Sequence, residues 1–386
     1  MESTLHQGRE EIRQGIKDLC SKFPETYWRK KDADQEYPEE FVKALTEGGW
    51  LSMLIPEQYG GLGMGMSHAS IVLEEINRSG GLAAPAHAQM YIMGAILRHG
   101  SPEQKENWLP PIAKGKVRLQ AFGVTEPAAG SDTSSITTFA KRDGDLYRIH
   151  GQKIFTSRVQ HSDLMLVLVR TTPREKVQKK TDGMTLLLLD LNGQKTHIRV
   201  KPIRTMINHE TNEVFFDGAE APVNNRIGEE GQGFRYILSG LNAERILVAS
   251  ESVGDGRYFV DKAVAHSSSR IVFGRPIGQN QGVQYPIAKA HISLEAASLV
   301  RDHAAMLFDR GERDGVYANM AKYLASNAAW EAANTAMDAF GGYGYAVEYN
   351  IERKFREARL PLVAPVPNNL ILSHIAEHVL GLPRSY

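Results

Sequence analysis

Between residues 119 and 228 the apolar residues arrive in short runs: "LMLVLVR", "MTLLLLDL", "THIRVKPI" and "NEVFFDG", separated by Gly, Asp, Asn and Pro. Runs of this kind bounded by turn formers are strand signals, and their close spacing predicts a small antiparallel barrel or sandwich. On both sides of this region the apolar period is helical. "PEEFVKALTEGGW" has a proline near its start and glycines at its end, "SHASIVLEEINRSGG" offers Ser67 as an N-cap, and "SPEQKENWLPPIAKG" opens on Ser-Pro and closes on Gly. After "GEEGQGFRYIL" the helical period returns and lasts to the end, with alanine-rich "NMAKYLASNAAWEAANTAMDAF" suited to close helix packing. The order helical, β, helical divides the chain into an N-terminal helical domain (1–118), a central β domain (119–228) and a C-terminal helical domain (229–386), an α+β architecture. A chain of 386 residues exceeds what one hydrophobic core sustains, which agrees with that division.

The composition narrows the function classes. The formal net charge is +0, which leaves no electrostatic footprint for nucleic acid or an anionic membrane. Cys20 is the single cysteine, so an intrachain disulfide and a thiolate metal cluster are both excluded. The first residues, "MESTLHQGREEIRQGIKDLC", read as an acid-bearing amphipathic helix rather than a targeting segment, and the apolar runs are too short to span a bilayer. The expectation is a soluble, cytoplasmic protein.

"FGVTEPAAGSD", Phe122 to Asp132, opens the β region with small and hydroxyl residues that let backbone N–H groups approach a polar ligand. Taken alone, it reads more readily as a turn. "FGGYGY" at Phe340 reads as a glycine helix end, and "YGGLGMGM" as a loop without the Gly-Lys-Ser/Thr of a P-loop. No His/Cys/Asp cluster has metal-ligand spacing and no Gly-x-Ser-x-Gly elbow occurs. His87 reads as structural, and "RKKD" at Arg29 as a solvated face. One acid stands out. At helical spacing Phe234, Ile237, Leu241, Glu244 and Val248 share one face, and a carboxylate on an apolar stripe is costly unless it is paired, hydrogen-bonded or used.

Together, and in this order, "PEQYGGLGMG", "FGVTEPAAGSD", "GQKIFTSR", "EEGQGF", "RIVFGRPIGQNQGVQ", "DAFGGYGY" and "ERKFREARL" resemble the acyl-CoA dehydrogenase family over nearly the whole chain. The resemblance implies an N-terminal helical domain, a central antiparallel β domain and a C-terminal four-helix bundle, with FAD held between them. It places Phe122, Val124, Thr125, Gly130 and Ser131 along the flavin, with Ser131 also near the thioester ligand. Phe155 stands where many relatives have Trp against the isoalloxazine, and the hydroxyl meeting flavin N5 falls on Ser157, or on Thr156 in a shifted register. Arg270, Gln281 and Phe340, Gly341 and Gly342 resemble adenine-dinucleotide contacts supplied by a neighbouring subunit, which implies an oligomer, usually a homotetramer in this family. Arginine suits a pyrophosphate because its fork donates two hydrogen bonds.

The implied reaction is α,β-dehydrogenation of an acyl-CoA, with a carboxylate taking the α-proton, hydride leaving to flavin N5 and electrons passing to an electron-transfer flavoprotein. Many members carry the base in a C-terminal Glu-Gly-Thr motif. Here "REARLPLVAPVPNN" puts Pro365 at that place, and no acid lies from Arg359 to His374. Members resembling isovaleryl-CoA and long-chain acyl-CoA dehydrogenases take the base from the helix opening the C-terminal domain, where "GLNAERILVA" stands. That makes Glu244 the expected base, with Asn242 and Arg245 as thioester-ligand contacts. In relatives the residue aligned with Pro365 offers its N–H to the thioester oxygen, and proline has none. Either Ala364 or Val366 donates instead, or the oxyanion leans on a ribityl hydroxyl of the flavin. Val366, Pro367 and Asn369 fall at flavin-side positions. Competing expectations are the same chemistry on a carrier-protein acyl or aminoacyl thioester, a flavin monooxygenase, oxidase or desulfinase on this fold, and a non-catalytic nucleic-acid-associated member, which the neutral charge opposes.

Overall fold

A computed structural model describes residues 2–312 and 315–384. Six helices come first: α1 (Glu2–Cys20), α2 (Glu25–Asp34), α3 (Glu39–Glu47), α4 (Met66–Arg78), α5 (Ala84–His99) and α6 (Pro102–Ala113). Eight strands follow: β1 (Leu119–Gly123), β2 (Phe139–Asp143), β3 (Leu146–Ser157), β4 (Leu164–Arg170), β5 (Met184–Asp190), β6 (Ile198–Pro202), β7 (Thr211–Pro222) and β8 (Arg226–Ile227). Then come the long α7 (Gly233–Ser269), the ribbon β9 (Ile271–Val272) and β10 (Arg275–Pro276), α8 (Gln281–Asp309), α9 (Val316–Phe340), α10 (Ile351–Arg359) and α11 (Asn368–His374). The helical, β, helical order is the one expected. Packing gathers these elements into two compact units, one of Met1–Asp34, Gly65–Ala83 and Asn242–Tyr386, the other of Gln35–Met64 and Ala84–Leu241.

The second unit is built on a sheet of order β6-β7-β3-β2-β4-β5-β8, with β1 beside β4. Most neighbours are antiparallel, but β1 runs parallel to β4, and β2 meets β4 in parallel at Phe139 and Arg170. The sheet is therefore mixed rather than purely antiparallel, because β1 enters from α6 instead of from a hairpin. Strand β4 reads as an unbroken apolar run because both of its faces are covered. Leu164, Leu166 and Leu168 pack in one cluster with Ile92 and Ile96 of α5 and Leu109 of α6. Met165, Val167 and Val169 pack in another with Tyr147 and Val214. Helix α6 starts as its sequence predicts: Ser101 Oγ accepts from Gln104 N at 3.1 Å and Gln104 Oε1 accepts from Ser101 N at 2.9 Å, a reciprocal capping box.

The first unit is helical. Ser67 does not cap α4. The helix begins two residues earlier than such a cap would place it, behind Gly65, and the Asp309 carboxylate accepts from the free N–H groups of Met66 at 2.5 Å and Ser67 at 3.0 Å. A charged acceptor at a helix N-terminus meets both the unpaired donors and the dipole, so it outcompetes a serine hydroxyl. "RKKD" is likewise not only a solvated face, since Asp32 pairs with Arg356 at 2.6 Å and Arg29 donates to the Glu348 carbonyl at 3.1 Å. Buried Glu74 receives Arg301 at 2.7 Å, Arg13 at 3.3 Å and Arg257; burial alone would raise its pKa, but these cations outweigh it and hold the carboxyl at about 2.

Candidate active site

In the second unit two segments carry the expected flavin residues. Phe122, next to last in β1, is half-buried, and the chain from Val124 to Ser131 turns over an isolated bridge between Glu126 and Ala129. Glu126 holds this turn in place. Its carboxylate accepts from Thr137 N at 2.6 Å, Thr137 Oγ1 at 2.9 Å, Thr138 N at 2.9 Å and Lys153 Nζ at 2.8 Å. Lys153, fully buried, also donates to the Val124 carbonyl at 3.0 Å. Burial brings the Lys153 ammonium down to about 8 in spite of its partner, and the nearby cation keeps the Glu126 carboxyl below its ordinary range despite its own burial.

Strand β3 delivers Phe155, Thr156 and Ser157. Its register against β7 shifts between Lys153 and Thr156, and there Ile154 N donates to the Thr125 carbonyl at 2.9 Å, tying the two segments together. The bulge turns Phe155 to φ 56°, a left-handed conformation uncommon for an aromatic, and leaves the residue 60% exposed. Thr156 is buried and its hydroxyl has no hydrogen-bond partner among the described residues; Ser157 is half-buried on the opposite side of the strand. Gly130 and Ser131 are exposed, and a Cβ added at Gly130 meets open space. A planar aromatic cofactor fits these features: an exposed ring to stack on, an orphaned hydroxyl to satisfy and a small-residue turn of accessible backbone.

In the first unit Glu244 lies half-buried on α7. Arg245 beside it donates from Nη2 to Asn242 Oδ1, while its buried Nε has no acceptor among the described residues. Burial lowers this guanidinium to about 10, and the charge of Glu244 opposes that fall. Sequence reasoning missed Lys322 on α9, which is wholly buried and donates from Nζ to the Val366 carbonyl at 2.7 Å and to Asn368 Oδ1 at 2.8 Å. Only its helical phase on a buried alanine-rich face could have flagged it. Arg270 is exposed and lies over the Tyr343 ring at 5.3 Å, next to His266 stacked on Phe340 at 4.1 Å. Gly341 and Gly342 follow as exposed backbone, where an added Cβ meets nothing. Gln281 is exposed in the first turn of α8, Pro367 precedes α11 and Asn369 is exposed on it. Among the described residues no group of His, Cys, Asp and Glu could hold a metal, and no helix is long and apolar enough to cross a membrane.

Comparison with known proteins agrees with this arrangement. Family models for the acyl-CoA dehydrogenase N-terminal, middle and C-terminal domains match residues 6–116, 121–219 and 231–380. An acyl-CoA dehydrogenase, fadE12 of Mycobacterium bovis, is 34% identical over 98% of this chain and 97% of its own length. The CarC subunit of the caffeyl-CoA reductase-Etf complex of Acetobacterium woodii is 32% identical over 84% of this chain and 85% of its own. The structure of butyryl-CoA dehydrogenase from Megasphaera elsdenii superposes with a TM-score of 0.91 at 28% identity, covering 96% of this chain and 98% of that one. On the match of all three domain models in order along one chain, the protein belongs to the acyl-CoA dehydrogenase family of FAD-dependent oxidoreductases.

Proposed function

We propose that this protein dehydrogenates an acyl-CoA thioester between Cα and Cβ, with Glu244 as the base that takes the α-proton. The observation that carries this reading is Glu244 itself: a half-buried carboxylate on an apolar helix face, beside a half-buried arginine, in a chain whose 359–374 segment has no acid. Bound FAD supplies the hydride acceptor for the β-hydrogen. Phe122, Val124, Thr125, Gly130, Ser131, Phe155, Thr156 and Ser157 hold its isoalloxazine, with Val366, Pro367 and Asn369 at its flank. Asn242, Arg245 and Ser131 hold the thioester ligand. A base working in a dry pocket is matched to the poorly acidic α-proton, and donors aimed at the thioester oxygen stabilise the charge that develops there.

The acyl chain enters at an apolar slot lined by Tyr91, Ala95, Phe122, Tyr236 and Gly240, whose free space of about 10 Å³ is that of a single water, so these side chains must part to admit it. The electron acceptor is an electron-transfer flavoprotein, supported by the relative named as part of an Etf complex. The working form is a homotetramer in which Arg270, Gln281 and Phe340–Gly342 reach a neighbour's FAD. Supporting this, Tyr285, Ile292 and Leu299 form an exposed apolar stripe on α8, and Gln281 falls on the same helical face.

The experiment is an anaerobic titration of the purified flavoprotein with short, branched, medium and long acyl-CoAs, with Glu244→Gln in parallel. Bleaching of the flavin band by one subset, lost in the variant, is the expected result. A flavin that stays oxidised with every CoA thioester overturns the reading and points to a carrier-protein thioester or other flavin chemistry. A variant that bleaches as fast as wild type makes Glu244 a structural acid.

A further inference from the structure

The segment from Val363 to Pro367 has few backbone donors. Val363 N and Ala364 N both donate to the Leu360 carbonyl, at 2.9 and 3.1 Å. Pro365 and Pro367 have no N–H. The Val366 N–H meets no acceptor among the described residues, which makes it the free donor of this loop. The same residue is gripped at its other polar atom, because the Val366 carbonyl accepts from buried Lys322 Nζ at 2.7 Å. Lys322 also donates to Asn368 Oδ1 at 2.8 Å, and Asn368 Nδ2 donates to Ser326 Oγ at 3.0 Å, one helical turn along α9. The loop is thus fastened to α9 on either side of Pro367.

We propose that Lys322 is a positioning residue, holding Val366 by its carbonyl so that the Val366 N–H meets the thioester oxygen of the substrate. This rests on the dehydrogenase reading and chooses between the two backbone donors open where Pro365 has none. Ala364 is excluded because its N–H is already committed to Leu360. A donor fixed in advance costs no reorganisation when charge develops, and one such donor contributes on the order of 10²–10³ in rate. Buried Lys322 and half-buried Arg245 also place two positive charges near this loop, and Arg245 lowers the affinity of Lys322 for its proton, though less than burial does. Their field favours an enolate-like oxygen in a medium that screens poorly.

The test uses the holoenzyme with acetoacetyl-CoA, a 3-oxoacyl thioester whose α-proton ionises without redox chemistry. Its enolate against oxidised flavin gives a long-wavelength charge-transfer band. Lys322→Met is expected to keep its FAD, to raise the pH midpoint of that band by about one unit, and to slow bleaching by a saturated substrate roughly 10- to 100-fold with KM little changed. Lys322→Arg should restore most of both. Val366→Pro deletes the N–H directly and should act alike, so it carries the test if Lys322→Met does not fold. An unchanged enolate midpoint and wild-type bleaching in the folded Lys322→Met, or in Val366→Pro, overturns the assignment while leaving the dehydrogenase reading standing. A wild-type enzyme that no acyl-CoA bleaches overturns both.

Discussion

Replacing Lys153 by Met tests how the flavin-side turn is held. The substitution removes the cation from Glu126, which is only 5% exposed, and one of the ties to Val124. Breaking a buried ion pair by deleting one partner costs about 3–5 kcal/mol. Three donors from Thr137 and Thr138 remain on Glu126, so the lower figure applies, about 3 kcal/mol. For a folded body of 150–250 residues each kcal/mol shifts Tm by about 2–4 °C, so the expected loss is about 6–12 °C at pH 7, below the Lys153 pKa of about 8, read by circular dichroism. FAD retained per subunit should fall with it, because Lys153 anchors Val124. The sign with pH follows from the carboxyl. In the wild type Glu126 is held below its ordinary pKa, so its contribution is present above the unfolded value and lost as pH falls through the folded one. In the variant that cation is gone and the folded pKa rises, so the deficit should shrink at pH 5, where protonation relieves the unpaired charge. The double variant Lys153→Met/Glu126→Gln should regain part of the loss. A single variant that melts within ~1 °C of wild type at pH 7, with full FAD, would refute the reasoning.

Two further outcomes follow from buried groups. Burial raises Asp255 to about 6, with Glu357 and Glu251 adding to the rise and Lys354 opposing it. Its folded pKa lies above the unfolded one, so its contribution is full below the unfolded value and is lost as pH rises through about 6. Relative to Asp255→Asn, wild-type unfolding free energy should therefore fall by on the order of 2 kcal/mol between pH 4 and pH 7, and parallel curves in urea would contradict this. Tyr91→Ala opens the acyl slot. Each further methylene then buried is worth about 0.8 kcal/mol, roughly fourfold in kcat/KM, so the preferred chain should lengthen; an unchanged chain-length profile would remove the acyl chain from that slot.

Much of this protein is readable from local pattern. The strand runs, the helix between Pro38 and Gly48 and the helix opening after Ser101 all lie where their sequences put them, because each depends on residues within a turn or two of one another. The Ser67 cap failed for the opposite reason. The acceptor that took the α4 terminus is Asp309, 243 residues away, and no local rule ranks it above a nearby serine. The mixed sheet has the same origin, since a parallel neighbour for β4 is chosen by chain path rather than by composition.

The candidate site divides along the same line. The sequence alone determined the family, the order of its segments and the placement of an acid on an apolar helix face, since motif and periodicity are properties of neighbouring residues. It named Pro365 as a missing donor but left three replacements open. Only the tertiary structure decided which polar atoms are already spent: Ala364 N on Leu360, Glu126 on Lys153 at a separation of 27 residues, and the Val366 carbonyl on Lys322 at a separation of 44. The physical reason is that burial makes every unsatisfied polar group costly, so partners are found wherever the packed chain brings them. An atom left free by that accounting, such as the Val366 N–H, becomes visible only once the chain is folded.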